Sequence, residues 1–372
     1  MRKLLKQWLH WHAGPPAWGP ALIAGIGCGG PLLLGLFSAH IGFIWAATGA
    51  FQAALTNPLH RFGMLRMLLL TALGACSTGL GFWAASHALL SLLIFAAYGF
   101  LLAWLQRFGS ELGKLGVGLA VCVCLGQGQA GIGALPNGLA IGALFAIGGL
   151  WVMLLAFALR GLHGLRMWPH LPRLRGLIRV LRRHAKRLPR HLWLIHALAC
   201  TLATALAGLA VNLSGMPRGY WLTLTVVTTI QMELNSSLER AVHRCLGSLL
   251  GAVILILFGH WLETPGWMVA CMLPLIVLSR AFIAQHYGLF VLQTTVCFVL
   301  LAESLARDWH LPEVRLYNTL LGAVLALMVS TLAHQARKRW ARRSRAAARA
   351  PLPADEAEPL AEPPPPETPR AD

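Results

Sequence analysis

Charged residues are scarce in this chain of 372 residues. They make up 12% of the sequence and only 13 of them are acidic, whereas hydrophobic residues account for 57%. A soluble domain carries about 25% charge, so the composition excludes an ordinary soluble protein. The mean hydropathy of +0.63 instead predicts an all-α integral membrane protein, with the lipid bilayer as its main surroundings.

The chain also lacks the short motifs of common catalytic and metal sites. Gly109-Ser-Glu-Leu-Gly113-Lys114 resembles a phosphate-binding loop, but it is one residue short and no Ser or Thr follows the lysine. His-Glu-x-x-His, Gly-x-Ser-x-Gly and Cys-x-x-Cys do not occur. We therefore expect no enzyme activity, no metal and no cofactor. Active transport would then need an ion gradient or a partner.

The net charge of +18 is distributed between the apolar runs and at the ends of the chain. That distribution argues against nucleic acid as a partner, because a nucleic-acid-binding surface clusters its basic residues on a soluble domain. If the N-terminus is cytoplasmic, 28 of the 31 Lys and Arg residues fall on cytoplasmic segments. The loops on the other side hold only Arg218, Arg307 and Arg315. The positive-inside rule thus predicts that both termini are cytoplasmic.

Twelve apolar runs are candidates for membrane-spanning helices, each of which needs roughly 20 apolar residues. They cover residues 18–37, 41–56, 67–86, 88–105, 114–129, 136–159, 192–212, 219–233, 245–262, 266–279, 286–304 and 314–334. The second run of each half, 41–56 or 219–233, is unusually short. Corresponding short segments in the two halves of a transporter point to its transport site.

The two halves share a sequence pattern. In the second half, Gly219-Tyr220-Trp221 opens a threonine-rich run to Gln231, which is followed by Arg240, Arg244, Gly247 and Gly251. The first half has Gly42 and Trp45, then Gln52, Arg61, Arg66 and Gly74. This similarity predicts two six-helix repeats, and because six is an even number the repeats are parallel.

The predicted organisation has five parts. A cytoplasmic N-terminus (1–17) precedes the first membrane repeat (18–159), and a basic amphipathic linker (160–191) leads to the second repeat (192–335). The linker lies at the cytoplasmic headgroup layer, where it serves as a topology lock or in regulation. The tail (336–372), rich in Arg and Ala and then in Pro and Glu, is predicted to be disordered.

Polar side chains in the short eighth run are the candidate substrate-binding residues. They are Thr225, Thr228, Thr229 and Gln231, with Tyr220 and Trp221 at the start of the run. Hydroxyl and amide groups in a span bind a substrate carboxylate or a neighbouring helix, and both interpretations stay open. The two aromatic residues are either interfacial belt residues or a platform for an aromatic ligand.

Charged residues beside the cytoplasmic span ends form a second group of candidates. Arg66, Arg240, Arg244 and Arg280 would attract an organic anion, or they set topology and contact lipid headgroups. Glu233 is the candidate for proton coupling, and a salt bridge to Arg240 or Arg244 is its alternative role. Gly247-x-x-x-Gly251 is predicted to be a surface for close helix packing.

These motifs resemble the membrane domain of the fusaric acid resistance family, which groups with the aromatic acid exporters and more distantly with plant aluminium-activated malate channels. The resemblance covers about 190–335, with 18–159 as a weaker repeat. The resemblance rests on Gly219-Tyr220-Trp221, the run ending in Gln231, Arg240-x-x-x-Arg244-x-x-Gly247-x-x-x-Gly251, and Asn318-Thr319 with Gly322-Ala323. Met232 stands where the family often has proline, and a basic linker stands where longer members carry a cytoplasmic domain.

The resemblance implies a multi-pass exporter of aromatic or other organic acids in the bacterial cytoplasmic (inner) membrane. Some family members work beside a periplasmic adaptor and an outer-membrane channel, and protomers would pair through small-residue faces. A secondary, proton-driven exporter is the first hypothesis. A passive organic-anion channel and a non-transporting membrane scaffold are the alternatives.

Overall fold

The computed structural model describes residues 11–40, 42–58, 63–128, 137–162, 179, 181, 183–185, 189–262, 264–306 and 310–349. Within these ranges the chain forms twelve α-helices and one short 3-10 turn, Gly259–Trp261, and has no β-strand. The α-helices in chain order are α1 (Trp18–Ser38), α2 (Phe43–Ala54), α3 (Gly63–Ala84), α4 (Ala88–Gln106), α5 (Ser110–Gln127), α6 (Gly138–Leu162), α7 (Arg190–Ser214), α8 (Tyr220–Thr229), α9 (Leu234–Phe258), α10 (Pro265–Phe282), α11 (Tyr287–Ala306) and α12 (Leu311–Arg349).

Each of the twelve apolar runs corresponds to one of these helices, and the all-helical prediction is confirmed. Among the described residues, eight helices are long and apolar enough to cross a membrane: α1, α3, α4, α6, α7, α9, α10 and α12. The other four are shorter or less apolar. The structure therefore supports eight candidate spans by length and composition, fewer than the twelve predicted.

Two predicted boundaries are wrong. Helix α9 begins at Leu234, eleven residues before the predicted run at 245, because its first turns carry polar residues that a search for apolar runs leaves out. Helix α12 continues to Arg349, so the tail predicted to be disordered from residue 336 begins as helix, which its Ala and Arg residues favour. Residues 350–372 and most of the linker at 160–191 lie outside the described residues.

The helices of the two halves make matching contacts. In the first half α3 packs against α5 and α6, and α2 packs against α6. In the second half α9 packs against α11 and α12, and α8 packs against α12. In each half, therefore, the third helix packs against the fifth and sixth helices of that half, and the second helix packs against the sixth.

The halves meet through a reciprocal arrangement, in which the fourth helix of each half packs against the first helix of the other. At the α4–α7 contact, Trp193 donates from its indole nitrogen to the backbone oxygen of Ala103, 3.1 Å away. The Ser91 hydroxyl donates to the Gly208 oxygen at 2.9 Å. Gly99 allows this approach, since a Cβ there would lie 2.6 Å from the Cys200 oxygen.

The two shortest helices, α2 and α8, end inside the protein. Helix α8 is ten residues long, and seven of the eight residues from Thr223 to Ile230 are β-branched, a composition that weakens a helix. Its helix ends at Thr229, and Ile230 (ψ 123°) and Glu233 (φ −99°, ψ 138°) are extended. Residues 230–233 connect α8 to α9 and form one side of the candidate site.

Candidate functional site

A polar cavity of about 700 Å³ lies where the connection 230–233 meets the start of α9 and the connection between α10 and α11. That volume suits a small organic ligand. The lining residues are His12, Gln231, Ser236, Glu239, Arg240, His243, Ile283, Gln285, His286 and Tyr287. We call this cavity the vestibule, and the predicted topology puts it on the cytoplasmic side.

Arg240 provides the positive charge of the vestibule. Its Nη1 donates to the backbone oxygen of Thr228, 3.4 Å away, near the end of α8. A cation near the last carbonyl groups of a helix is favourable. The Arg240 guanidinium also lies over the Tyr287 ring, 5.7 Å from its centroid. These contacts orient a half-buried cation towards the cavity.

Three aromatic rings stand together beside this cation. The His243 ring meets the His286 ring edge to face at 5.9 Å and the Tyr287 ring at 6.1 Å, measured between centroids. His243 is held by its own helix, because its Nδ1 donates to the Glu239 backbone oxygen at 2.8 Å. The wall of the vestibule therefore offers both a cation and flat ring surfaces.

The segment before α1 closes one side of the vestibule. The backbone nitrogen of His12 donates to the Gln285 oxygen at 3.1 Å, and the Gln285 side chain donates to the Gly14 oxygen at 2.9 Å. Further along, the nitrogen of Ala17 donates to the Ala281 oxygen at 3.1 Å. Residues 12–17 are thus tied to the end of α10.

The predicted threonines lie beside the vestibule and do not line it. The Thr225 hydroxyl donates to the Trp221 oxygen at 2.8 Å, and the Thr228 hydroxyl donates to the Leu224 oxygen at 2.7 Å. Thr229 is fully buried, and its hydroxyl has no hydrogen-bond partner among the described residues. Of the residues predicted for substrate binding, only Gln231 lines the cavity.

Tyr220 and Trp221 are buried inside the bundle. A belt residue faces the membrane interface, so the belt interpretation is wrong for both. The Arg315 guanidinium lies over the Trp221 ring, 5.0 Å from its centroid. The Tyr220 ring fills the space beside Gly128, at the end of α5.

The four predicted arginines occupy different places. Arg240 lines the vestibule, whereas Arg244 is buried one turn further along α9. Arg280 donates from Nε to the Ala54 oxygen at 2.7 Å, at the end of the short helix α2. Arg66 forms a salt bridge with Glu111 on α5. Arg66 and Arg280 thus each bind a group of the first half, and neither lines the vestibule.

Glu233 is exposed at the start of α9 and does not line the vestibule. Its predicted salt bridge to Arg240 or Arg244 does not form in the structure. The cation that interacts with it is Arg337 on α12. Its assignment to proton coupling stays a prediction.

Gly247 and Gly251 bring α9 against α11. A Cβ at Gly247 would lie 2.8 Å from the Gly288 oxygen, and one at Gly251 would lie 3.1 Å from the Leu292 oxygen. Gly247 therefore needs a residue without a side chain and Gly251 leaves little space for one, as in a small-residue packing face.

Sequence reasoning missed most of the vestibule, including His243, Gln285, His286 and Tyr287. A signal was present at the connection between two apolar runs, where Gln285-His286-Tyr287 forms a polar break on the predicted cytoplasmic side. His243 follows Arg240 by three residues, so both lie on one face of α9. Arg315 was also misplaced: it was assigned to an outside loop, but it lies in α12 with 2% of its surface exposed.

The fold and this site define an all-helical, multi-pass membrane protein with a polar vestibule. Residues 205–329 match the family model described as fusaric acid resistance protein-like, which confirms the resemblance over that range. The matched range contains every lining residue of the vestibule except His12.

One relative is a protein of Synechocystis sp. described as uncharacterized. It is 23% identical over 135 residues, which are 36% of this chain and 18% of that protein. The alignment thus spans about a fifth of the relative's length. No solved structure matches the chain.

Proposed function

We propose that this chain is a secondary exporter of aromatic carboxylates in the bacterial inner membrane, driven by the proton gradient. The observation that carries the proposal is the vestibule, in which Arg240 stands beside the rings of His243, His286 and Tyr287. A guanidinium group is suited to a carboxylate, and the rings suit an aromatic body. The family match supports transport as the activity.

The substrate class follows from the balance of charges in the vestibule. Glu239 is the one carboxylate in the lining, and it is exposed at the rim, while Arg240 is half-buried. A half-buried cation interacts more strongly with a ligand anion than an exposed group does, because water screens it less. The arrangement therefore favours a monovalent organic anion over a cation or a neutral sugar.

The proposal includes twelve membrane crossings arranged as two parallel repeats. The ten helical residues of α8 rise about 15 Å, half the hydrocarbon thickness of about 30 Å, and residues 230–233 continue the segment to α9. The matching helix contacts of the two halves support the repeat, as does the reciprocal packing of α4 with α7 and of α10 with α1.

Substrate enters from the cytoplasm at Arg240 and leaves on the opposite face of the bundle. Broken helices near the membrane centre are common at transporter sites, where one repeat moves against the other. Residues 230–233 and the end of α8 supply such a break in the second half. A periplasmic adaptor would receive the substrate in family members that use one.

The direct test is the initial rate of labelled 4-hydroxybenzoate uptake into inside-out vesicles. Arg240→Gln is compared with Arg339→Gln, which removes the same charge from an exposed position on α12. We expect Arg240→Gln to lower the rate at subsaturating substrate at least tenfold, and Arg339→Gln to leave it unchanged. Equal rates for all three proteins would overturn the vestibule as the substrate site.

A further inference from the structure

Two arginines lie buried in the second half, beyond the inner end of the vestibule. Arg244 on α9 is 5% exposed and Arg315 on α12 is 2% exposed. The Nε of Arg244 and both the Nε and Nη1 of Arg315 have no hydrogen-bond partner among the described residues. The two guanidinium groups are close enough to interact electrostatically.

No acidic side chain in the described part of the chain neutralises either group. The salt bridges there join Glu111 with Arg66 and with Lys114. Glu313, two residues before Arg315, is exposed, and Glu233 interacts with Arg337. Two like charges, buried and close together, are unfavourable unless an anion joins them.

The position of the pair is fixed by a polar contact between α9 and α12. The Thr319 hydroxyl donates to Ser248 Oγ at 3.5 Å, and each residue follows one of the arginines by four positions. The second contact of these helices, between Ser330 and Ser237, shows that they run antiparallel. Arg244 therefore lies one turn from this level on the vestibule side, and Arg315 lies one turn from it on the other side.

A further cation lies beyond Arg315, towards the opposite face of the bundle. Its guanidinium lies over the Trp221 ring, and it interacts with the Tyr220 phenol. The same phenol interacts with Arg218, whose Nη1 also has no hydrogen-bond partner in the described ranges. Arg240, Arg244, Arg315 and Arg218 thus follow one another from the vestibule to the far end of α8.

We propose that Arg244 and Arg315 form a second, occluded anion site that receives the carboxylate of the substrate after it leaves the vestibule. The inference rests on the proposed function for the identity of the substrate. The unpaired N–H groups of both side chains bind the carboxylate oxygens, and Trp221 holds the Arg315 guanidinium in place. The site neutralises the anion where lipid would otherwise oppose its passage.

The occluded site is tested by calorimetric titration of the full chain in lipid nanodiscs with benzoate. Arg240→Gln is the background, so that binding in the vestibule is weakened in every sample. In that background, Arg315→Gln should lower the benzoate affinity at least tenfold, and Arg339→Gln should not change it. An unchanged affinity in the Arg315→Gln protein would overturn the inference.

The melting temperature distinguishes an anion site from a structural role. A purely structural Arg315 would leave the Arg315→Gln protein less stable, with its benzoate-induced rise in melting temperature intact. The occluded site predicts that this rise disappears, while the melting temperature without benzoate stays at or above that of the parent. If Arg315→Gln does not fold, Arg244→Gln replaces it, and an unchanged benzoate affinity in that variant overturns the inference.

Transport separates this inference from the proposed function. A parent protein that binds benzoate through Arg315 but does not move it across vesicles would uphold the occluded site and overturn the exporter. A parent that transports benzoate, with transport and binding insensitive to Arg315→Gln, would uphold the exporter and overturn the occluded site.

Discussion

Arg280 and Ala54 join the two halves of the protein, because the guanidinium Nε of Arg280 donates to the Ala54 backbone oxygen over 2.7 Å. Ala54 is the last residue of the short helix α2, where the carbonyl groups lack partners within the helix. Arg280 is 5% exposed, so this bond is shielded from water. Arg240 makes a weaker equivalent contact at 3.4 Å with Thr228, near the end of α8. Each interrupted helix is therefore capped by an arginine.

Removing the Arg280 cap should destabilise the protein. Arg280→Ala leaves the Ala54 oxygen buried without its charged donor, which costs about 2 kcal/mol. We expect a lower melting temperature for the purified protein in detergent. Arg339→Ala, at an exposed site, should have the same melting temperature as the parent. A melting temperature for Arg280→Ala equal to that of the parent would show that the bond does not hold the halves together.

The contact between α4 and α7 should depend on Gly99. In Gly99→Ala the new methyl group meets the Cys200 oxygen and the Thr204 side chain, so the two helices must separate. Such overpacking typically costs 1–3 kcal/mol, or about 2 kcal/mol here. Gly266→Ala is the matched control, since nothing lies within 4 Å of a Cβ at that position. Limited proteolysis and thermal melting measure the effect, and equal stability of the two variants would contradict the α4–α7 packing.

The aromatic rings of the vestibule should set the preference for aromatic acids. Tyr287→Leu keeps an apolar side chain but removes the ring that lies beneath Arg240 and beside His243. Ring contacts of this kind contribute about 1 kcal/mol, so we expect about a fivefold loss in the preference for 4-hydroxybenzoate over an aliphatic acid such as hexanoate. Competition between the two acids during vesicle uptake measures it. A preference unchanged from the parent would exclude the rings from substrate recognition.

Proton coupling should be more sensitive to Glu239 than to Glu233. Glu239 lines the vestibule, and its backbone oxygen accepts a bond from His243, whereas Glu233 does not line it and interacts with Arg337. We expect Glu239→Gln to reduce gradient-dependent accumulation and to spare exchange of substrate between equilibrated compartments. Glu233→Gln is the matched comparison, and the reverse order of effects would assign proton coupling to Glu233, as the sequence predicts.

The arrangement of helices was largely predictable from the sequence, since each apolar run became a helix and the second run of each half became one of the two shortest helices. The bounds of the apolar runs predicted the first residues of α1, α4 and α7 to within two residues. It failed at α9, because hydropathy does not recognise helical turns that carry polar residues. Ser237, His243 and Arg244 lie in these turns and are buried.

The candidate site was predictable only in part, because it depends on contacts between distant segments. Gln231 and Arg240 were found from their positions after a short span, but Gln285-His286-Tyr287 joins them through folding of α10 and α11. Arg315 was assigned to a loop by the positive-inside rule, which counts charge and contains no information about burial. Its partner Arg244 lies 71 residues earlier, so no local pattern relates the two residues.

The central claim is tested most directly by the steady-state distribution of labelled 4-hydroxybenzoate in inside-out vesicles, before and after the proton gradient is collapsed. The account predicts that the acid accumulates inside above its outside concentration, that collapse releases the excess, and that Arg240→Gln vesicles accumulate it at least tenfold more slowly. Equal concentrations on both sides, reached at the same rate with and without the gradient, would contradict the exporter and indicate a passive anion channel.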